Sequence, residues 1–324
     1  MSNFVFALNA TIPIFLVIVL GWALRQIKWV NNNFIDVLNK YVFRVALPVM
    51  LFKDIATTPI NQVYDPKFIV FCIVGTTIMF AGVLLFAEKF VKDRREIGAF
   101  TQAAARGSAA IFGIAFVENI YGSSGMTPMM IIAAVPFYNI YSVIILSVCG
   151  EKYPQDGSVP AGSGNRKELV THTLKSIVTN PIILGIAAGF PFSLLNITLP
   201  PIILKTITSV GATATPMGLI AVGAAFEGSK AIKKVKPTIA ATVIKLIVLP
   251  AVFFPFAILL GFRQSALVAI LIMVGAPTTV SCYIMAKNMG NDDMLTSSIV
   301  VTTTLLSSVT LTLWLFLLRT MNLI

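Results

Sequence analysis

The sequence predicts an all-α integral membrane protein of about ten transmembrane helices, folded as two inverted five-helix repeats. Composition is the first reason: 57% of the 324 residues are hydrophobic, 11% are charged, and the mean hydropathy is +0.89. A water-soluble globule of this size cannot enclose so much apolar surface, so the chain belongs in a bilayer. The second reason is an internal shift. Pro13, Gly21, Pro48, Gly107 and Gly122 recur as Pro181, Gly189, Pro216, Gly275 and Gly290, all 168 residues later. With only 17 prolines and 21 glycines in the chain, that agreement marks one unit used twice. The third reason is the placement of basic residues. With the N-terminus outside, fifteen of the 24 Lys and Arg fall in cytoplasmic segments, including the clusters Lys89–Arg95 and Lys230–Lys236. Only Lys53, Lys67, Lys205, Arg263 and Arg319 fall on the other side, which favours both termini outside. Five spans per unit is an odd number, so the second copy enters the membrane from the opposite face.

The spans follow in order. The first, 5–25, is preceded by no Lys or Arg and followed by no small-residue cleavage pattern, so it reads as a span and not as a removable leader. The second, 34–54, is interrupted by Asp36, Lys40 and Arg44 and carries Ala-x-Pro-x-x-Leu from Ala46 to Leu51. The third and fifth cover 67–87 and 127–149; between them the fourth, 98–120, holds Arg106, Gly107, Ser108 and Gly113. Residues 1–150 thus form the first repeat, and the polar, Gly- and Ser-containing stretch 151–170 is a cytoplasmic tether to the second, 171–324. The lone histidine, His172, ends that tether and reads as a solvated side chain. The sixth span is 173–191, and the seventh, 200–226, repeats Ala-x-Pro-x-x-Leu from Ala214 to Leu219. The eighth, 238–260, carries Lys245 and Pro250, the ninth is 264–286 and the tenth 295–318.

Several functions are excluded by the same pattern. A net charge of +11 would suit nucleic acid in a soluble protein, but here the cations sit between apolar runs and report topology, so no nucleic-acid partner is expected. Cys72, Cys149 and Cys282 are scattered, without disulfide or metal-ligand spacing, and no metal or cofactor is implied. No Ser/His pair, paired carboxylate or metal-ligand cluster lies within the spans, so there are no candidate catalytic residues and an enzyme is not expected.

What a repeat-built membrane protein of this kind does is carry solutes, with its site at mid-membrane where broken helices expose N–H and C=O groups. The fourth and ninth spans are the candidates for such breaks. Pro277 cannot donate a backbone hydrogen bond, and Thr278, Thr279, Ser281 and Tyr283 follow it with hydroxyls able to bind a ligand. In the fourth span Gly107 and Gly113 bracket Ser108 without a proline, and Gly275 is the repeat mate of Gly107. The competing reading is two unbroken helices packed closely through small residues. Arg106 is the sharpest residue. An intramembrane charge is costly, and Arg106 lies eleven residues, about 16 Å, from the interface at Arg95, too far to snorkel easily. It can attract an anion or pair with a carboxylate. Lys245, beside Pro250, is a second candidate for this role but is read as nearer an interface and able to snorkel, and Asn139, flanked by Tyr138 and Tyr141, faces the cavity or bridges helices. Pro48 and Pro216 kink helices that frame the site.

The segment from Ser209 through Pro216 and Gly223 to Phe226 resembles the seventh span of the auxin efflux carrier family. Asn180-Pro181, Lys245 with Pro250, Pro277-Thr278 with Tyr283 and Ala286-Lys287, and Ser297 through Ser308 also sit where that family's patterns fall. The resemblance covers essentially the whole chain. It implies a fold like that of the bile-acid sodium symporters, with a scaffold domain from spans one, two, six and seven. Spans three to five and eight to ten would form a transport domain in which the broken fourth and ninth spans cross. It further implies a carrier in the cell membrane that moves organic anions such as malonate, malate or indole-acetate-like carboxylates by an elevator movement, surrounded by lipid and paired as a homodimer. The chain departs from the family at Ser108 and Ser281, where asparagine is usual, and at Ala115, where a proline is common. The residues leave the coupling open between a proton, sodium and neither. They also leave open a non-transporting membrane sensor or assembly subunit that keeps the fold.

Overall fold

The computed structural model describes residues 3–57, 65–153, 155, 171 and 174–324. Most of the tether at 151–170, and His172, therefore lie outside the described residues. The first half runs α1 (Asn3–Gln26), α2 (Asn32–Tyr41), α3 (Leu47–Ala56), α4 (Pro66–Phe90), α5 (Ile97–Ala105), α6 (Ala109–Tyr121) and α7 (Thr127–Lys152). The second runs α8 (Pro181–Leu194), α9 (Pro201–Ala212), α10 (Ala214–Ala225), α11 (Gly228–Lys233), α12 (Val235–Val243), α13 (Leu249–Leu259), α14 (Ser265–Gly275), α15 (Ser281–Asn288) and α16 (Asp293–Thr320). Five stretches are long and apolar enough to cross a bilayer: Pro66–Phe90, Thr127–Lys152, Pro201–Ala225, Val235–Leu259 and Asp293–Thr320. Thr11–Gln26, Pro181–Leu194 and Ser265–Gly275 are shorter and also apolar.

Local chemistry sets the boundaries. Asp65 caps α4 by accepting from the Lys67 and Phe68 amides, and Asp292 caps α16 by accepting from Leu295. At α8, Asn180 accepts from Ile182 and Pro181 occupies the first turn, so a new helix starts there, after the helical residues 174–178, and the expected span 173–191 is divided. Two π-helical turns, Val42–Ala46 and Ile244–Val248, each run directly into a Leu-Pro pair, Leu47-Pro48 and Leu249-Pro250. Proline offers no amide to the carbonyl four residues back. The carbonyl that Pro250 leaves free, Leu246 O, accepts instead from the Trp314 indole at 2.9 Å. The charges that interrupt the second span are accommodated by the first of these turns: α2 buries Ile35, Leu38 and Asn39, then the wider turn re-aims the chain into α3.

The interior is divided into two cores. One gathers α4 to α7 with α12 to α14 and α16, around Phe68, Phe100, Phe116, Leu271 and Leu315. The other gathers α1 to α3 with α8 and α10, around Ile18, Leu47, Leu51, Ile186 and Leu219, and takes in residues of α7, α15 and α16 such as Leu146, Tyr283 and Val300. In the second core, helices touch backbone to backbone through glycine. A β-carbon on Gly21 or Gly223 would fall on the Ile220 and Ile18 carbonyls, which seats α1 against α10. A β-carbon on Gly189 would stand 2.9 Å from Phe52 O, which seats α8 against α3. Such approach is open only to residues without a side chain. Outside the helices, Lys234 donates to Glu96 Oε1 at 2.6 Å and to Asp292 Oδ2 at 2.7 Å, tying together the outer ends of α5, α12 and α16.

Candidate functional site

Two interruptions meet where the two cores adjoin: Ala105, Ala109 and Ala276 belong to the first core, Val280 and Tyr283 to the second. α5 stops at Ala105 and α6 starts at Ala109; α14 stops at Gly275 and α15 starts at Ser281. The second interruption has a local cause, because Ala276 precedes Pro277 and is pushed to extended backbone, φ −65° and ψ 153°. The first contains no proline. Arg106 is extended there, at φ −80° and ψ 131°, and is held so by the other break. The Ser108 amide donates to Pro277 O at 2.8 Å, Gly107 and Thr278 form an antiparallel bridge, and Thr278 Oγ1 donates to Ala103 O at 2.7 Å. Gln102 Nε2 donates to Cys282 O at 2.6 Å, and the Thr278 amide donates to Thr303 Oγ1 at 3.1 Å. Polar backbone freed in the membrane is thus satisfied by the opposite break.

The geometry separates charge. The N-terminal ends of α6 and α15 open on a cavity of about 60 Å³ lined by Arg106, Gly107, Ser108, Ala109, Thr279 and Ser281. Across it stand Leu47, Met50, Leu51 and Asp54 of α3, and Ala214 and Thr215 of α10. The cavity therefore lies between the two cores. Helix N-termini and a guanidinium both favour negative charge. Arg106 is 5% exposed; its Nη2 donates to Asn139 Oδ1 at 2.8 Å and its Nη1 to Met285 Sδ at 3.0 Å. Asn139 is itself held by its Nδ2 donating to Val135 O at 2.9 Å. Among the described residues no carboxylate forms a salt bridge with Arg106.

The remaining expected site residues are placed as follows. Thr279 and Ser281 lie 3.3 Å apart, hydroxyl to hydroxyl, on the cavity wall. Asn139 stands behind Arg106, and Pro277 contributes its carbonyl to Ser108. Thr278 is buried with its hydroxyl spent on Ala103 O, and Tyr283 is buried with its hydroxyl accepting from Asn39 Nδ2 at 3.3 Å; neither lines the cavity. Gly113 packs against α7, where an added β-carbon would meet Thr127 Cγ2 at 2.7 Å, while Gly275 ends α14 against Pro250. Pro48 lies in the first turn of α3 and Pro216 three residues past the interruption at Thr213.

The reading of Lys245 as interfacial is corrected by the structure. Lys245 is 0% exposed, and its Nζ donates to Ala105 O at 2.9 Å, the last residue of α5. Lys245 sits in the π-helical turn Ile244–Val248, on the side that faces the break. Asp54 and Thr215 were not expected at the site. Asp54 pairs with Lys53 at 2.8 Å, and that adjacent pair near a span end was the signal available in the sequence.

A profile of the family described as membrane transport protein matches residues 6–315. The chain belongs to this family. It is the auxin efflux carrier family that the motifs resemble, and membership makes the protein a membrane transporter. One relative, the "Putative malonate transporter" of Rhizobium meliloti (strain 1021), is 23% identical over 315 residues, covering 95% of this chain and 94% of its own. Another, the "Uncharacterized transporter" of Methanothermobacter thermautotrophicus (strain ATCC 29096 / DSM 1053 / JCM 10044 / NBRC 100330 / Delta H), is 22% identical over 308 residues, covering 94% and 96%. Transport by a multi-pass membrane protein accounts for the apolar helices and the broken pair alike.

Proposed function

We propose that this transporter is a secondary carrier of a small organic anion of the malonate or malate class, bound where the two breaks meet. The observation that carries the reading is Arg106: a buried guanidinium, with no salt-bridged carboxylate among the described residues, on a cavity that two helix N-termini also line. Ser108, Thr279 and Ser281 supply hydroxyls for the carboxylate oxygens, and Asn139 orients the guanidinium. The name of the rhizobial relative agrees with this class.

Movement of one core against the other, an elevator, is the mechanism we infer. The cavity is lined from both cores, by Ala109 and Tyr138 of the first and by Leu47 and Leu51 of the second, so movement of one against the other would carry a bound anion. The glycine contacts support the inverted repeat as the frame for this movement. Gly21 meets Ile220 and Gly189 meets Phe52, and each residue of the second pair lies 168 positions from its counterpart in the first, as a pseudo-two-fold axis requires. With both termini outside the cell membrane, α1 to α3 and α8 to α10 form the stationary scaffold, the surface we propose for homodimer contact.

Uptake of radiolabelled malonate, malate and indole-acetate into liposomes carrying the purified protein tests the proposal, with pH and sodium gradients applied separately. Saturable flux of one anion is expected. Binding of an anion without flux would replace the carrier with a sensor.

A further inference from the structure

Lys245 is a buried cation that anion recognition does not use. It does not line the cavity beside Arg106, and among the described residues it has no ion-pair partner. Its ammonium lies on the other side of the breaks. There the C-terminal ends of α5 and α14 come together: Nζ donates to Ala105 O at 2.9 Å, and a β-carbon on Gly107 would stand 3.0 Å from Nζ and 3.1 Å from Ala276 O. Helix C-termini carry partial negative charge, and two of them pointing at one place are where a dissolved cation would be stabilised. Three other carbonyls near the breaks are already bonded. Arg106 N takes Gln102 O, Thr278 Oγ1 takes Ala103 O, and Gln102 Nε2 takes Cys282 O.

We infer that Lys245 is a tethered counter-cation: its ammonium occupies the place between the C-terminal ends of α5 and α14 that a coupling cation would fill, so this carrier works without sodium. The inference rests on the reading of the two breaks as the carrier's binding region. A fully buried ammonium is costly, and the converging carbonyl ends are what compensate it. Glycine at 107 leaves the ammonium its room, since a β-carbon there would make tight contact with both Nζ and Ala276 O. Since the lysine is covalently part of the chain, it moves with the breaks and needs no ion gradient to stay in place.

Two measurements on the full-length protein test this. The first needs no substrate: thermal unfolding of the purified protein in sodium chloride and in choline chloride at equal ionic strength. Wild type is expected to melt at one temperature in both, whereas Lys245→Ala is expected to gain stability specifically in sodium, because a cation that binds only the folded state raises the melting temperature. Lys245→Arg, which keeps the charge, is expected to show no sodium response. A sodium-specific rise in wild type, or none in a folded Lys245→Ala, overturns the inference; if Lys245→Ala fails to fold, the wild-type comparison decides. The second is malonate uptake with sodium replaced by choline. Equal wild-type flux is expected, and a drop of about tenfold or more overturns the inference, that being the usual scale of a real coupling. Absence of malonate flux in every buffer counts against the carrier reading and leaves the melting comparison standing.

Discussion

The two breaks do the same thing to the backbone by different means. At Ala276–Val280 the cause is local, a proline that has no amide and forces the residue before it to be extended. At Arg106–Ser108 nothing local compels the interruption. It is held open by Lys245, Pro277 and Thr278, all more than 130 residues away in the chain. Charge is divided in the same unequal way. The proline break brings hydroxyls to the cavity, while the break without proline brings Arg106. The difference teaches that the proline break is the template and the other is shaped on it, so that the guanidinium is placed by tertiary contacts.

The largest effect that would break this comparison is on Arg106. Arg106→Ala should weaken anion binding by about 2–5 kcal/mol, the cost of truncating one partner of a buried charge pair, or more than tenfold in affinity. Saturation curves for uptake show it, and unchanged curves refute the division of labour. Next comes Lys234, which joins Glu96 at the outer end of α5 to Asp292 just beyond α15 and so fixes both broken helices to one point. Lys234→Met leaves two carboxylates facing one another. Melting of the variant should show a loss of roughly 2–3 kcal/mol, less than for a fully buried pair because 22% of the lysine side chain is exposed.

The same latch has a pH signature. Burial pushes the Lys234 ammonium down, but hydrogen bonds to Asp292 and Glu96 outweigh it and hold the group above the ordinary lysine value of 10.5. A raised folded value means the contribution is fully present below pH 10.5 and is lost as pH rises through the higher folded value. Melting temperature in alkaline buffer should fall through that window in wild type, and the fall should be smaller in Lys234→Met.

Thr278→Val sharpens the comparison from the other side. It removes the donor to Ala103 O and should cost about 1–3 kcal/mol, the penalty for an unsatisfied buried carbonyl. Pro277→Ala should have the smallest effect, under about 1 kcal/mol, because the Pro277 carbonyl that binds Ser108 remains and the cross-break contacts still hold. Chemical unfolding of the two variants side by side ranks them. A larger loss for Pro277→Ala than for Thr278→Val would mean that the template break depends on proline alone.

Much of this was legible in the sequence. Apolar runs and capping residues such as Asp65 and Asp292 place most helices, and Pro277 marks its own break. The expected sixth span 173–191 is divided, because Asn180-Pro181 starts a new helix after the helical residues 174–178 and hydropathy alone does not mark that boundary. Lys245 was misplaced for a subtler reason. It lies in a π-helical turn, and a hydrophobic pattern does not record where such a turn falls. Tyr283 and Thr278 share the polar run of Thr279 and Ser281, yet Tyr283 in α15 bonds Asn39, and Thr278, held in the break by its bridge to Gly107, bonds Ala103 instead of facing the cavity. Asp54 belongs to the opposite wall, and which residues face each other across two cores is decided by packing that spacing does not encode.

The central claim is that Arg106, set by the break that lacks a proline, holds the anion. Titration calorimetry of purified wild type, Arg106→Lys and Arg106→Gln with the anion selected by uptake tests it most directly. The account predicts saturable binding in wild type, weaker binding in Arg106→Lys and none in Arg106→Gln. Equal affinity in wild type and Arg106→Gln would contradict it.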